Sequence, residues 1–147
     1  MIHLLLNRQI TKIVIIQAIG AIMINRLDHI VLTTTNLDAC IDFYLRVLKM
    51  EVITFGEQRH ALSFGQQKIN IHQYGKEFEP KAHLPVPGSL DLCFISDIPL
   101  CDVQKQIEQQ GVKIIEGPVN RTGATGAIRS IYIRDIDLNL IEISEYI

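Results

Sequence analysis

The chain has no tryptophan, and its aromatic side chains are five Phe and four Tyr in 147 residues. Its charge is nearly balanced, with 14 Lys and Arg against 16 Asp and Glu, and no stretch concentrates the basic residues. The absence of a basic stripe argues against nucleic-acid binding. Cysteine is scarce as well. Three residues, Cys40, Cys93 and Cys101, form no Cys-x-x-Cys pair, and an odd count excludes a closed disulfide framework. They are expected to be reduced core thiols in a cytoplasmic protein. There is also no apolar run long enough to cross a bilayer. The longest lies in residues 1–22, where Arg8 and Lys12 are the only charges, and its apolar core falls short of the roughly 20 residues a spanning helix needs. Basic residues before an apolar run also fit a signal peptide. The preferred expectation is an extension outside the domain, so that a chain starting at Met23 folds and binds metal like the whole.

What remains, residues 23–147, is rich in periodic apolar pattern. Leu27-Asp28-His29-Ile30-Val31-Leu32-Thr33 alternates as a strand, with residues 27, 29, 31 and 33 on one face. Thr35 or Asn36 caps a helix over Leu37 to Leu48, where Cys40, Phe43 and Val47, with Ile41, Tyr44 and Leu48, make an apolar stripe at helical spacing. Strands follow at 51–55, 59–65 and 68–74. Residues 75–88 hold three prolines without a period and read as a linker. The pattern then restarts: a strand at 91–95, a helix opened by Pro99 and stopped by Gly111, and strands at 112–115, 128–134 and 139–144, with a Gly- and Thr-rich loop at 120–127. The reading is α+β: a first module over about 24–74 and a second over about 89–147, each strand, helix, strand, strand, strand, and each completing the other's core.

Aligning the two modules lays His29 over Asp91, and His72 over Glu142. Four side chains able to bind metal thus fall on the first and last strand of each module. Two imidazoles and two carboxylates neutralise a divalent ion and leave positions open for a small-molecule substrate; Zn, Ni, Co, Mn and Fe(II) all accept such mixed nitrogen and oxygen donors. Glu142 stands out. It is the one acidic group in Leu138-Asn139-Leu140-Ile141-Glu142-Ile143, where a carboxylate buried without a partner costs several kcal/mol. His60 and His83 have no such partners and are expected at the surface; His3 lies in the extension. Arg46, Arg59, Lys81, Arg121 and Arg129 are expected to face solvent.

Three segments, Leu27 to Leu32, Phe43-Tyr44 through Met50-Glu51, and Tyr132 to Asp135 with Asn139 to Glu142, give the chain a family likeness. It resembles the vicinal oxygen chelate superfamily, which includes glyoxalase I, fosfomycin-resistance and bleomycin-binding proteins and extradiol dioxygenases. Gly75 to Ala82 and Pro87 to Asp91 resemble the glyoxalase-domain-containing protein 5 group in particular. The likeness covers about residues 24–147. It implies paired βαβββ modules in an incomplete eight-stranded barrel around a metal, commonly in a homodimer, with ligands at His29, His72, Asp91 and Glu142. Two departures are visible. Asp91 stands where relatives often carry His. The turn Asp135-Ile136-Asp137-Leu138-Asn139 lacks the Pro and Gly usual there, and with them a preset φ and an unstrained positive φ.

The function this implies is a metal-dependent glyoxalase-like lyase or isomerase. Its substrate would be a small α-oxoaldehyde adduct such as the methylglyoxal–glutathione hemithioacetal, with the metal stabilising an enediolate and Glu142 as the base. The alternatives are a sequestering binding protein and an Fe(II) dioxygenase using His29, His72 and Glu142.

Overall fold

The computed structural model describes residues Met23–Ile147, so the expectations for residues 1–22 lie outside the described residues. Among the described residues no helix is long and apolar enough to cross a membrane. The elements are β1 (His29–Thr34), α1 (Leu37–Leu48), β2 (Glu51–Phe55), β3 (Arg59–Phe64), β4 (Gln67–Gln73), β5 (Asp91–Ile95), α2 (Leu100–Gln109), β6 (Glu116–Thr122), β7 (Ala127–Arg134) and β8 (Leu140–Tyr146). They form two four-stranded sheets, ordered β1-β4-β3-β2 and β5-β8-β7-β6, each with one parallel pair, β1 with β4 and β5 with β8. The paired βαβββ architecture is therefore present, with no closed barrel.

Local chemistry explains the elements. Asn36 caps α1 by accepting from the backbone N–H of Ala39, and Lys49, at φ 57, ends it with its N–H on the Tyr44 carbonyl. α2 begins at Pro99, which has no side-chain cap; the Leu100 N–H donates instead to Glu145 of β8 at 2.8 Å. One face of each sheet packs on its helix. Leu32, Leu62, Ile69 and Ile71 from the first module and Ile131, Ile133, Ile141 and Ile143 from the second share a single core with Phe43, Tyr44, Val47, Leu100 and Ile107. The opposite, helix-free faces carry the site residues.

A turn of the second module clamps the two modules together. Asp135 is 4% exposed and accepts from Tyr44 Oη, Asn139 Nδ2, and the backbone N–H groups of Asp137 and Asn139. Asp137 accepts from the Thr34 and Thr35 hydroxyls and from the Thr35 N–H, at the end of β1. Asn139 Oδ1 accepts from the Leu90 N–H ahead of β5. The turn keeps a positive φ without glycine: Leu138 sits at φ 70 and is exposed. A side chain in that region costs about 1–2 kcal/mol, part of which glycine's extra unfolded-state freedom cancels. Leu138→Gly is accordingly expected to stabilise the protein by about 1 kcal/mol, read as a higher melting temperature.

Three expectations need correction. Residues 112–115 form no strand; the sixth strand runs from Glu116 to Thr122, and the loop shrinks to Gly123–Gly126. Gly and Pro, as at Gly117-Pro118, break strands in most settings. β6 is instead an edge strand whose register shifts between Glu116 and Val119, where a missing backbone donor is tolerated. The cysteines are all free, but only Cys40 is buried; Cys93 and Cys101 are exposed, and Cys93 lies on the helix-free face. The repeat alignment also fails at the last strand. His29 pairs with Lys68 and Asp91 with Leu140, so Asn70, opposite Val31, corresponds to Glu142, opposite Cys93. His72 pairs with Thr33 and corresponds to Ser144. The two modules share strand period, but two residues (65–66) separate β3 from β4 where five (135–139) separate β7 from β8, and alternation alone does not reveal the register that follows.

Candidate functional site

Side-chain alternation puts His29, Val31 and Thr33 of β1 on the helix-free face of the first sheet, beside Lys68, Asn70 and His72 of β4. In the second sheet the same face carries Asp91, Cys93 and Ile95 of β5 and Leu140, Glu142 and Ser144 of β8. All four expected ligands therefore point away from the core, as the pattern requires of site residues.

Each module presents its own part of the donor set. His29 is half exposed, and its Nδ1 lies 2.8 Å from Asp28 Oδ1. That contact leaves Nε2 facing outward and uses a carboxylate to orient the ring, the usual support of a metal-binding imidazole. It also holds the Asp28 carboxyl below its ordinary range, the hydrogen bond to His29 being the largest cause. Asp91 and Glu142 sit on adjacent parallel strands with an offset of two residues, on one face. Glu142 has hydroxyl and thiol neighbours: Ser144 Oγ donates to its Oε1 at 3.3 Å, Tyr132 is its direct cross-strand partner on β7, and Cys93 lies opposite it on β5. Arg121 reaches Tyr132 Oη at 3.0 Å and pairs with Glu116. Burial and Glu142 both push the Tyr132 hydroxyl upward, which keeps it a donor. Burial likewise raises the Cys93 thiol, with Glu142 adding to the shift, so Cys93 stays protonated beside the carboxylate.

Among the described residues no group of three His, Cys, Asp or Glu side chains is close enough to hold a metal ion. His29 and His72 explain part of this. They lie on one face but four rungs apart, about 13 Å along the strands. Strand side chains stand roughly perpendicular to the sheet, and imidazole-to-metal bonds are about 2 Å, so these two rings do not meet on one ion. A groove between the modules reaches Asp28, Lys68 and Cys93 but not the expected ligands themselves. That space, about 910 Å³, opens on the helix side and is lined by Ile30, Phe64, Leu92, Phe94 and Ile107.

The first module holds polar features that sequence reasoning passed over. Asn70 Oδ1 and His72 Nδ1 are buried with no hydrogen-bond partner among the described residues. The His72 ring meets the edge of Phe78, with centroids 5.6 Å apart, and burial holds it below the ordinary histidine value. Arg59 is exposed, as expected, and its guanidinium also lies over the rings of Phe55 and Phe78. Its signal in the sequence was its place two residues before Ala61 on the strand paired with Asn70.

With the two modules and their faces described, comparison with known proteins decides the family. A profile for the Glyoxalase/Bleomycin resistance protein/Dioxygenase superfamily matches residues 26–143. The chain belongs to that superfamily. It is 58% identical over 125 residues to virulence protein STM3117 of Salmonella typhimurium, covering 85% of this chain and 87% of the other. It is 56% identical over 123 residues to glyoxalase domain-containing protein RDO1 of Mycosarcoma maydis, covering 84% and 69%. Among solved structures, the integron cassette protein VCH_CASS1 from the mobile metagenome of V. cholerae superposes with a TM-score of 0.85 at 55% identity, covering 87% of this chain and all of the other. Superfamily membership brings both enzymes and resistance proteins within range, and the donor set has to discriminate between them.

Proposed function

We propose that this superfamily member is a divalent-metal enzyme of the glyoxalase type whose site is completed by two copies of the chain. The observation that carries the reading is the division of the donors: His29 on one sheet, Asp91 and Glu142 on the other, and no group of three among the described residues of one chain. A first module facing the second module of another copy would bring one imidazole and two carboxylates together. The helix-free faces also leave Val31, Ile53 and Ile95 between 37% and 47% exposed, apolar surface that a symmetric partner would cover.

His29, Asp91 and Glu142 are the proposed ligands of Zn, Ni, Co, Mn or Fe(II). Asp91 is the shortest of the three in reach. His72 is moved from the ligand set to the substrate wall, because its rung is too far from His29. When bound, the metal supplies Lewis-acid stabilisation of oxyanion charge on a substrate with neighbouring oxygens. The chain's own contribution is a carboxylate at Glu142 held among hydroxyl and thiol donors, able to take a proton from the carbon beside a carbonyl. Tyr132 and Ser144 orient it, and Asp28 orients His29. The substrate class is a small α-oxoaldehyde adduct, including a glutathione hemithioacetal. A sequestering role suits a site with no paired carboxylates; Asp91 and Glu142 on one face favour catalysis.

The test is assembly and metal together. The full chain at micromolar concentration is expected to sediment as a homodimer that binds one divalent ion per chain. A monomer that binds metal at that stoichiometry would contradict the shared site.

A further inference from the structure

Arg59 is the unexplained charge on the first module's helix-free face. It stands at the start of β3, one rung beyond the His60–Ile71 pair, and so across from His72. Its guanidinium lies 4.9 Å from the Phe55 ring centroid and 5.8 Å from that of Phe78. Phe78 also borders His72, and Lys68 covers Phe55 at 4.2 Å. The ion pairs among the described residues join six other pairs of side chains, none of which includes Arg59. The nearby carboxylate, Glu77, is engaged by its own turn, accepting from the Gly75 N–H at 2.8 Å.

A guanidinium fixed between two rings, with its edge unclaimed, is preorganised for a planar anion, because stacking holds the fork while its N–H groups stay available. Two buried polar atoms beside it, His72 Nδ1 and Asn70 Oδ1, are also without partners. Such atoms cost stability unless a ligand meets them. The cluster is built, polar and incomplete.

We propose that Arg59, His72 and Asn70, walled by Phe55 and Phe78, form a subsite for a carboxylate of the substrate. The proposal rests on the first module's helix-free face being a wall of the active-site cleft. Arg59 takes the carboxylate edge-on, His72 contacts the same group, and Asn70 accepts from a donor further along the ligand. The subsite lies about four rungs from His29, roughly 13 Å along the strands, so the substrate is an elongated acid with its carboxylate at one end and its reacting carbon at the other.

The experiment uses the full chain, with and without added divalent metal, and a series of acids from acetate to adipate, each beside its primary amide, at up to about 20 mM. Melting temperature and calorimetric titration are the readouts. The acids are expected to bind and stabilise, most strongly the longer ones, and the amides are not. Arg59→Met keeps the stacked stem and is expected to weaken acid binding at least tenfold, while Arg59→Lys weakens it less. Glu142→Gln is expected to keep acid binding while losing metal, which separates failure of the metal reading from failure of this one. Equal response to acids and amides, equal response of wild type and Arg59→Met, or no response to any acid would overturn the subsite.

Discussion

Glu142→Gln is expected to lose the divalent metal and to lower turnover of an α-oxoaldehyde adduct by a factor of about a hundred or more, with melting temperature little changed. The substitution keeps the side chain's shape and removes its charge. Glu142 is half buried on β8, across from Tyr132 and Cys93, and its contacts are with hydroxyls and a protonated thiol. Among the described residues no cation pairs with it, so deleting the charge breaks no ion pair that holds the described fold. It does remove the strongest metal donor of the second module, together with the proposed base. Losses of about 10² to 10⁴ are usual for a positioned acid–base group. Metal content and initial rate on the same preparation check it, and wild-type values for both would leave the sequestering role as the better account.

Asp135→Ala is expected to produce the largest loss of stability, about 3–5 kcal/mol, or a fall of about 10 °C in melting temperature. The carboxylate is buried and receives four hydrogen bonds, one of them from Tyr44 Oη at 2.8 Å across the module boundary. Removing it leaves the fully buried Tyr44 hydroxyl and the Asn139 amide without an acceptor. Burial and the Asp135 charge push the Tyr44 phenol far above its ordinary range, so the hydroxyl remains a donor at every accessible pH and cannot adapt by ionising. Tyr44→Phe, which removes the donor but leaves Asp135 its other partners, should cost less, about 1.5–3 kcal/mol. Thermal unfolding of the three proteins gives the comparison. Equal stability of Asp135→Ala and wild type would mean that the turn does not clamp the modules.

The α+β fold was legible because both modules signal the same change of period, from two in the strands to 3.6 in the helices. The bounds of α1, β2 and β5 agree with the expected ones; α1 follows the cap signal of Thr35 and Asn36, and β5 stops at Ser96. Strand β6 was misplaced because Gly117 and Pro118 are breakers in most settings, and only the sheet order shows that this strand is an edge. The site was legible as a set of faces and not as a set of distances. Alternation places His29, His72, Asp91 and Glu142 on the helix-free faces of their strands. It does not fix register, so the two-residue slip that lines Asn70, not His72, up with Glu142 was invisible. Arg59 was missed because exposed arginines are usually solvated, and its stacking partners Phe55 and Phe78 come from other parts of the chain. In the turn beside the site, the missing glycine does not remodel the loop; Leu138 adopts the positive φ that glycine would have taken freely.

If each site draws on the first module of one copy and the second module of another, mixing two defective variants restores part of it. His29→Ala and Glu142→Gln are each expected to bind little metal alone. When the two are unfolded together and refolded, half of the dimers are mixed, and in each of these one site takes its intact first module from Glu142→Gln and its intact second module from His29→Ala. The account predicts recovery of metal and activity to about a quarter of the wild-type level. If every site were built within one chain, each would still carry one defect, and the mixture would recover nothing.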